Sequence, residues 1–308
     1  MTESAGELFD LGYKRYEGPR EGRMRARKAV FTNGVRTTLG LGRSSSAKVL
    51  PIIFFVVVMA PAVVLALVAS QASELDLPGH SDYYRIVSIL LILFSAIIAP
   101  ELLCPDRRTG AIGLYLVRPL TVTDYLAGRW LAFFSITLML VYSGQVILLF
   151  GLTLSAESPG EYLQDNWLDV PRFLGAGLLI ALFTTTLPLA ISAFTTRKAY
   201  AAAFVIGIFI ISSAVAGTLT GCEDHDGGVE RNIGQCEPLT GDYAKWFGLI
   251  DVRGVTIHLS DLIFDVESTS GDSGPIAELH NIIPISTYVA MLDGLAFMLW
   301  WRYRRITV

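Results

Sequence analysis

Long apolar runs dominate the hydropathic pattern of this chain, in place of the alternation of a half-buried strand or the stripe of a surface helix. Six stretches are long enough to cross a hydrocarbon core of ~30 Å, which takes ~20 residues at 1.5 Å each. They are Leu50–Ala69, Ile86–Leu103, Trp130–Leu154, Phe173–Thr196, Ala199–Leu219 and Ile282–Trp301. The first, third, fourth and fifth contain no Asp, Glu, Lys or Arg; Glu101 enters the second only near its end, and Asp293 lies inside the sixth. The pattern predicts an all-α membrane protein with six transmembrane helices. The competing reading, buried helices of a soluble protein, would need several uncharged helices of this length in one core.

Composition agrees. The 308 residues are 52% hydrophobic and 17% charged, with a mean hydropathy of +0.51; a soluble domain carries about 25% charge. A net charge of −4 points to no nucleic-acid partner. Residues 1–49 are polar and basic without an early apolar core, so no cleavable signal peptide is expected.

The distribution of charge says more than its sum. Ten Lys and Arg precede the first span, and Arg107, Arg108, Arg118 and Arg129 follow the second. Arg197 and Lys198 lie between the fourth and fifth, and Arg302, Arg304 and Arg305 close the sixth, placing 19 of 24 basic residues on one side. The other side keeps Arg85, Arg172, Arg231, Lys245 and Arg253 with most of the acids. The positive-inside rule then predicts a multi-pass protein with both termini cytoplasmic, and Trp300, Trp301 and Tyr303 read as an inner aromatic belt. Cys104 falls at the cytoplasmic mouth of the second span. Cys222 and Cys236 fall in the external loop, where either a disulfide or two free thiols fits. A bridge closing about 15 residues would contribute ~3 kcal/mol in the chain-entropy model.

The chain divides into a cytoplasmic segment, residues 1–49, and one membrane domain, residues 50–308, with an inner connection at 104–129 and an external loop at 220–281. From Arg23 to Arg43, Met24, Phe31, Val35 and Leu39 recur at helical spacing among basic residues. This suggests an amphipathic helix in the inner interface, although Gly34, Gly40 and Gly42 argue against it and a disordered basic arm is the alternative. The inner connection mixes charges with Ile112, Leu114, Tyr115 and Leu116, and Thr121 with Asp124 forms a capping-box pattern ahead of the next helix. A short helix here would dock on a partner or fold back onto its own bundle. In the external loop, the apolar pattern from Trp246 to Phe264 is too charged to span; it could dip into the outer leaflet or pack across the mouth of the bundle. The acid cluster Glu223 to Asp226 lacks an EF-hand ligand series, so no metal site is expected. Asp293 is a carboxylate inside a span, hence a functional candidate. A proton relay, a substrate contact or a polar link to Tyr142, Ser143, Gln145 or Thr184 to Thr186 would each account for it, the link being favoured.

Catalytic motifs are absent. There is no G-x-x-x-x-G-K-[ST], no H-E-x-x-H and no G-x-S-x-G, and the four His are assigned to the outside, unclustered. The chain is not expected to be an enzyme, so uphill transport would draw energy from an ion gradient or another subunit.

A cytoplasmic amphipathic helix, six spans, a prominent inner segment after the second span and a long external segment after the fifth together resemble the permease subunit of an ABC-2 type exporter. The local match lies in Asp106-Arg107, Gly110, Leu114 to Val117, Pro119 and Gly128-Arg129. The resemblance implies the ABC-2 (type V) exporter fold and a bacterial plasma-membrane location. It implies pairing with a second permease copy or a related permease, and with a dimer of cytoplasmic ABC ATPases that hold the ATP and Mg, this chain binding no cofactor itself. It implies contact with membrane lipids, and a coupling helix over 107–118 whose ATPase interface includes Asp106, Arg107, Arg108, Gly110, Leu114, Tyr115 and Pro119. Ala199, Ala203 and Gly207 form a small-residue row suited to close helix packing, at a dimer seam or within one subunit. Two other readings remain: a proton-coupled secondary transporter using Asp293, and a non-transporting membrane scaffold.

Overall fold

Hydrocarbon leaves a spanning segment few ways to satisfy its backbone, and a helix does so within itself. The protein is represented by a computed structural model that describes residue 18 and residues 22–42, 45–71, 79–116, 120–156, 158–221, 241–266 and 274–306. The helices are α1 (Arg23–Thr38), α2 (Ser45–Gln71), α3 (His80–Arg108), α4 (Ala111–Leu116), α5 (Val122–Ser155) and α6 (Pro159–Asp165). They continue with α7 (Asp169–Ser192), α8 (Lys198–Thr220), α9 (Ala244–Phe247), α10 (Val252–Phe264), α11 (Gly274–Ala277) and α12 (Ile282–Ile306). No strand occurs among the described residues. Six helices, α2, α3, α5, α7, α8 and α12, are long and apolar enough to span.

Their ends differ from the apolar runs. α3 starts at His80 and runs through Pro100 and Pro105 to Arg108, and α5 starts at Val122. Residues 104–108 and 122–129 therefore belong to spans, and the inner connection proper is shorter than 104–129. The extra turns are tolerated because their polar groups are paired. His80 Nδ1 lies 2.5 Å from Gln145 Oε1, and Thr121 and Asp124 cap α5 reciprocally. His80, assigned to the external side, opens α3 there, where it is buried against α5 and stacks on Phe173 and Phe264.

α3 and α7 form the centre, with 67% of each apolar window buried against 17–28% for α2, α8 and α12. Tyr83 and Tyr84 of α3 fill the core, and their hydroxyls donate to the carbonyls of Val58 and Phe173. A Cβ on Gly144 would lie 1.7 Å from the Tyr83 hydroxyl, so only glycine fits that crossing.

α1 packs along α5. Its seated face is Val30, Gly34 and Thr38, not the expected stripe, of which Met24 is 73% exposed and Phe31, Val35 and Leu39 are half-buried. Gly34, costly in an isolated helix, is required here: its Cβ would meet that of Ala132 at 2.6 Å, and one on Gly128 would meet Val30 at 2.8 Å. Close approach of two backbones is the reason for both glycines.

In the external region, α10 packs across α3, α7, α8 and α12, one of the two arrangements open to that segment. Asp261 is buried against Arg85 at 2.9 Å. Arg253 donates to the Ser88 hydroxyl and the Arg85 carbonyl. Asp251 accepts from the Arg253 backbone and from Ser213. Cys222 and Cys236 lie outside the described residues.

Candidate functional site: the inner face and its wiring

The last turns of α3 carry the charged groups that apolar spans lack, and Glu101, Asp106 and Arg107 each find a partner on another element. Asp106 accepts from the Tyr125 hydroxyl at 2.7 Å and from Arg129 Nη2 at 2.6 Å. Arg129 is only 3% exposed, its guanidinium stands over the Tyr125 ring, and its Nε and Nη1 have no partner among the described residues. Arg107 donates to the carbonyls of Ala193 and Thr195 at the end of α7, and Lys198 at the start of α8 pairs with Glu101 at 2.6 Å. Tyr303 of α12 packs on Tyr125 with ring centres 5.9 Å apart. The last two turns of α3 thus tie together α5, the end of α7 and α8, and Tyr303 brings α12 onto the same Tyr125. Such paired charges cost far less than isolated ones at this depth and resist separation.

Directly after this turn the chain reverses at Thr109 and Gly110. Gly110 has φ +68°, the left-handed region where a Cβ is strained. α4 follows as a separate helix of six residues, shorter than the expected 107–118 helix, because Arg107 and Arg108 still belong to α3. It folds back onto its own bundle through Ile112, which is buried, and Tyr115, whose ring centre lies 5.6 Å from that of Tyr125. Arg108, Thr109, Gly110 and Gly113 stay exposed. Leu114 lies on α4; its side chain and Pro119 are outside the described residues.

α1 joins the same face. Arg23 Nε and Arg27 Nη2 reach the two oxygens of Asp124 at 2.7 and 2.6 Å. The carboxylate holds the Arg23 guanidinium above its ordinary pKa, chiefly by hydrogen bonding, against an opposing desolvation effect and with a lesser contribution from charge. Asp124 therefore does two things, capping α5 and clamping α1. Its capping role follows from the T-x-x-D spacing, whereas nothing in the sequence pairs it with residues about a hundred positions earlier. The Arg129–Asp106 and Lys198–Glu101 pairs were equally hidden, although an acid and a base at the edges of two uncharged runs are a usable signal.

Other candidates fall elsewhere. Ala199 and Ala203 are exposed, and a Cβ on Gly207 would meet nothing within 4 Å, so the small-residue row lies on the outside of α8, not in packing within the bundle. Asp293 does not make the expected polar link. Gln145 serves His80, Tyr142 donates to the Leu174 carbonyl, Ser143 to that of Leu140 and Thr184 to that of Ile180. Asp293 instead lines a cavity of about 400 Å³ between α5, α7 and α12 that also includes Thr186. Among the described residues, no group of three or more His, Cys, Asp or Glu could hold a metal ion.

Residues 48–225, more than half of the chain, match the model of the ABC-2 family transporter proteins. The chain belongs to this family. The match covers the first five spans, α2 to α8, and stops before α10 and α12. No curated protein matches the sequence. Membership makes this ABC-2 chain an all-α, multi-pass membrane component of a transporter, and the family works in general with an ABC ATPase partner. The wired inner face lies inside the matched region. The Arg23 and Arg27 clamp and the Tyr303 contact reach it from outside that region.

Proposed function

We propose that this chain is the permease of an ABC exporter of the bacterial plasma membrane, with both termini cytoplasmic, working as a homo- or heterodimer on two ATPase subunits. ATP and Mg are held by those subunits, and the chain itself catalyses no reaction. The observation that carries the reading is the exposed turn Arg108–Gly110 with α4, continuous with a span whose last turns are hydrogen-bonded to α5, the end of α7 and α8. A load applied at this turn moves α3 as a rigid body, and Arg107, Asp106 and Glu101 pass it to α7, α5 and α8. α1, clamped on α5 by Asp124, widens the same basic face. The lipid-facing surfaces of α2, α8 and α12 and the outward-facing row Ala199, Ala203, Gly207 of α8 are compatible with a second copy beside α8.

The test is co-expression with a candidate ABC ATPase subunit from the same genome. The two should co-purify, and the chain should raise ATP hydrolysis. Reversing the exposed charge with Arg108→Glu should abolish that stimulation while leaving the isolated chain as stable as before. Uptake into liposomes by the chain alone, without an ATPase, would refute the proposal.

A further inference from the structure

α12 is the least buried of the six long helices, and between it and α5 and α7 lies the cavity of about 400 Å³ lined by Asp293. Its walls are almost entirely apolar, with the indoles of Trp130 and Trp300 among them. The polar groups that reach it are Thr123, Thr186 and Asp293. The two hydroxyls are already used. Thr186 donates to the Leu182 carbonyl at 2.7 Å and accepts from the Trp130 indole at 3.0 Å. Thr123 shares a hydrogen bond with Thr121 at 2.8 Å. The Asp293 carboxylate has no hydrogen bond or ion pair among the described residues, and its side chain stands open to the cavity and the flank of the bundle.

Depth makes that isolation informative. Asp293 lies eight residues before Trp301, about 12 Å along the helix, and so inside the hydrocarbon. A lone carboxylate there costs several kcal/mol unless it takes up a proton or a cation meets it. The bases of the same helix are engaged further on, Arg302 over Phe194, Arg304 over Trp300 and Arg305 over Trp301. The volume falls within the range of small-molecule sites, which are mostly apolar with one or two polar groups setting specificity. Cations are also attracted to indole faces.

We propose that this cavity binds an apolar monocation entering from the side of the bilayer, with its charge on the Asp293 carboxylate and its body between α5, α7 and α12. This rests on the transporter reading and gives it a cargo class.

The experiment uses the chain with its ATPase in nanodiscs of uncharged phosphatidylcholine. Binding of radiolabelled tetraphenylphosphonium is measured without ATP, with neutral triphenylphosphine oxide as the uncharged control. Saturable binding of the cation is expected, at least tenfold weaker in Asp293→Asn and within threefold of the parent in Asp293→Glu. Leu182→Trp, which fills the cavity without touching the carboxylate, should abolish it. The neutral control should be indifferent to Asp293→Asn. Equal cation binding by the parent and Asp293→Asn, with matching thermal midpoints, overturns the site, whether protonation or a neighbouring chain then accounts for the carboxylate. Stimulation of the ATPase is read in the same samples without the probe. Its loss would count against the exporter reading alone, and its presence with Asp293-independent binding would count against the site alone.

Discussion

Replacing Asp106 by Ala tests whether the inner network holds the spans together. The substitution removes the acceptor of two hydrogen bonds, one at 2.6 Å from Arg129 and one at 2.7 Å from Tyr125. A hydrogen bond to a charged group contributes about 1.5–3 kcal/mol. Breaking a buried pair costs about 3–5 kcal/mol because it leaves the other charge uncompensated. Arg129 is 3% exposed but Asp106 is 16% exposed in its side chain, so water can partly replace the lost carboxylate. The expected loss is therefore at the low end, about 3 kcal/mol, or roughly two decades in the unfolding equilibrium. Arg129→Met should cost only about 1 kcal/mol, since Asp106 then keeps Tyr125 and water. The double variant should resemble Arg129→Met, giving a coupling of about 3 kcal/mol in magnitude. Reversible unfolding in mixed micelles, followed by tryptophan fluorescence, supplies all four corners of the cycle. A coupling below about 0.5 kcal/mol would refute the idea that this pair links α3 to α5.

Gly128→Val would place side-chain carbon where Val30 now sits, 2.8 Å from the new Cβ. Overpacking of this kind costs about 1–3 kcal/mol, and the expected readout is faster tryptic cleavage within α1 with the six spans intact. His258 is buried at 1% exposure, and both its ring nitrogens are unpartnered among the described residues. Desolvation pushes its pKa below 6.5, with Asp261 opposing in part. The unfolded chain therefore takes the proton first. The contribution to stability is complete above pH ~6.5 and is lost as the pH falls below that value. Denaturation midpoints at pH 7.5 and 5 should show that loss, and His258→Phe should reduce it. In a chain with Cys222 and Cys236 replaced by Ser, Ala203→Cys should form an intermolecular disulfide in membranes. Ala201→Cys, on the buried face of α8, should not; equal behaviour of the two would exclude a seam along that row.

The sequence by itself determined how many helices cross and where their apolar centres lie, because an uncharged run of 20 residues has one satisfactory state in hydrocarbon. It also placed the cap of α5, since the T-x-x-D pattern acts over four residues. It placed the inner connection but not its true bounds, because charges that extend a span are tolerated only when a distant partner neutralises them. Asp106 with Arg129, Glu101 with Lys198 and Asp124 with Arg23 are such pairs. The seated face of α1 was likewise decided by the tertiary fold. Gly34 and Gly128 let two backbones meet, and that gain in contact outweighed the apolar stripe that hydropathy favoured. Asp293 shows both sides. Its lone charge was legible from the sequence, but only the packing of α12 against α5 and α7 showed that it faces a cavity rather than another helix.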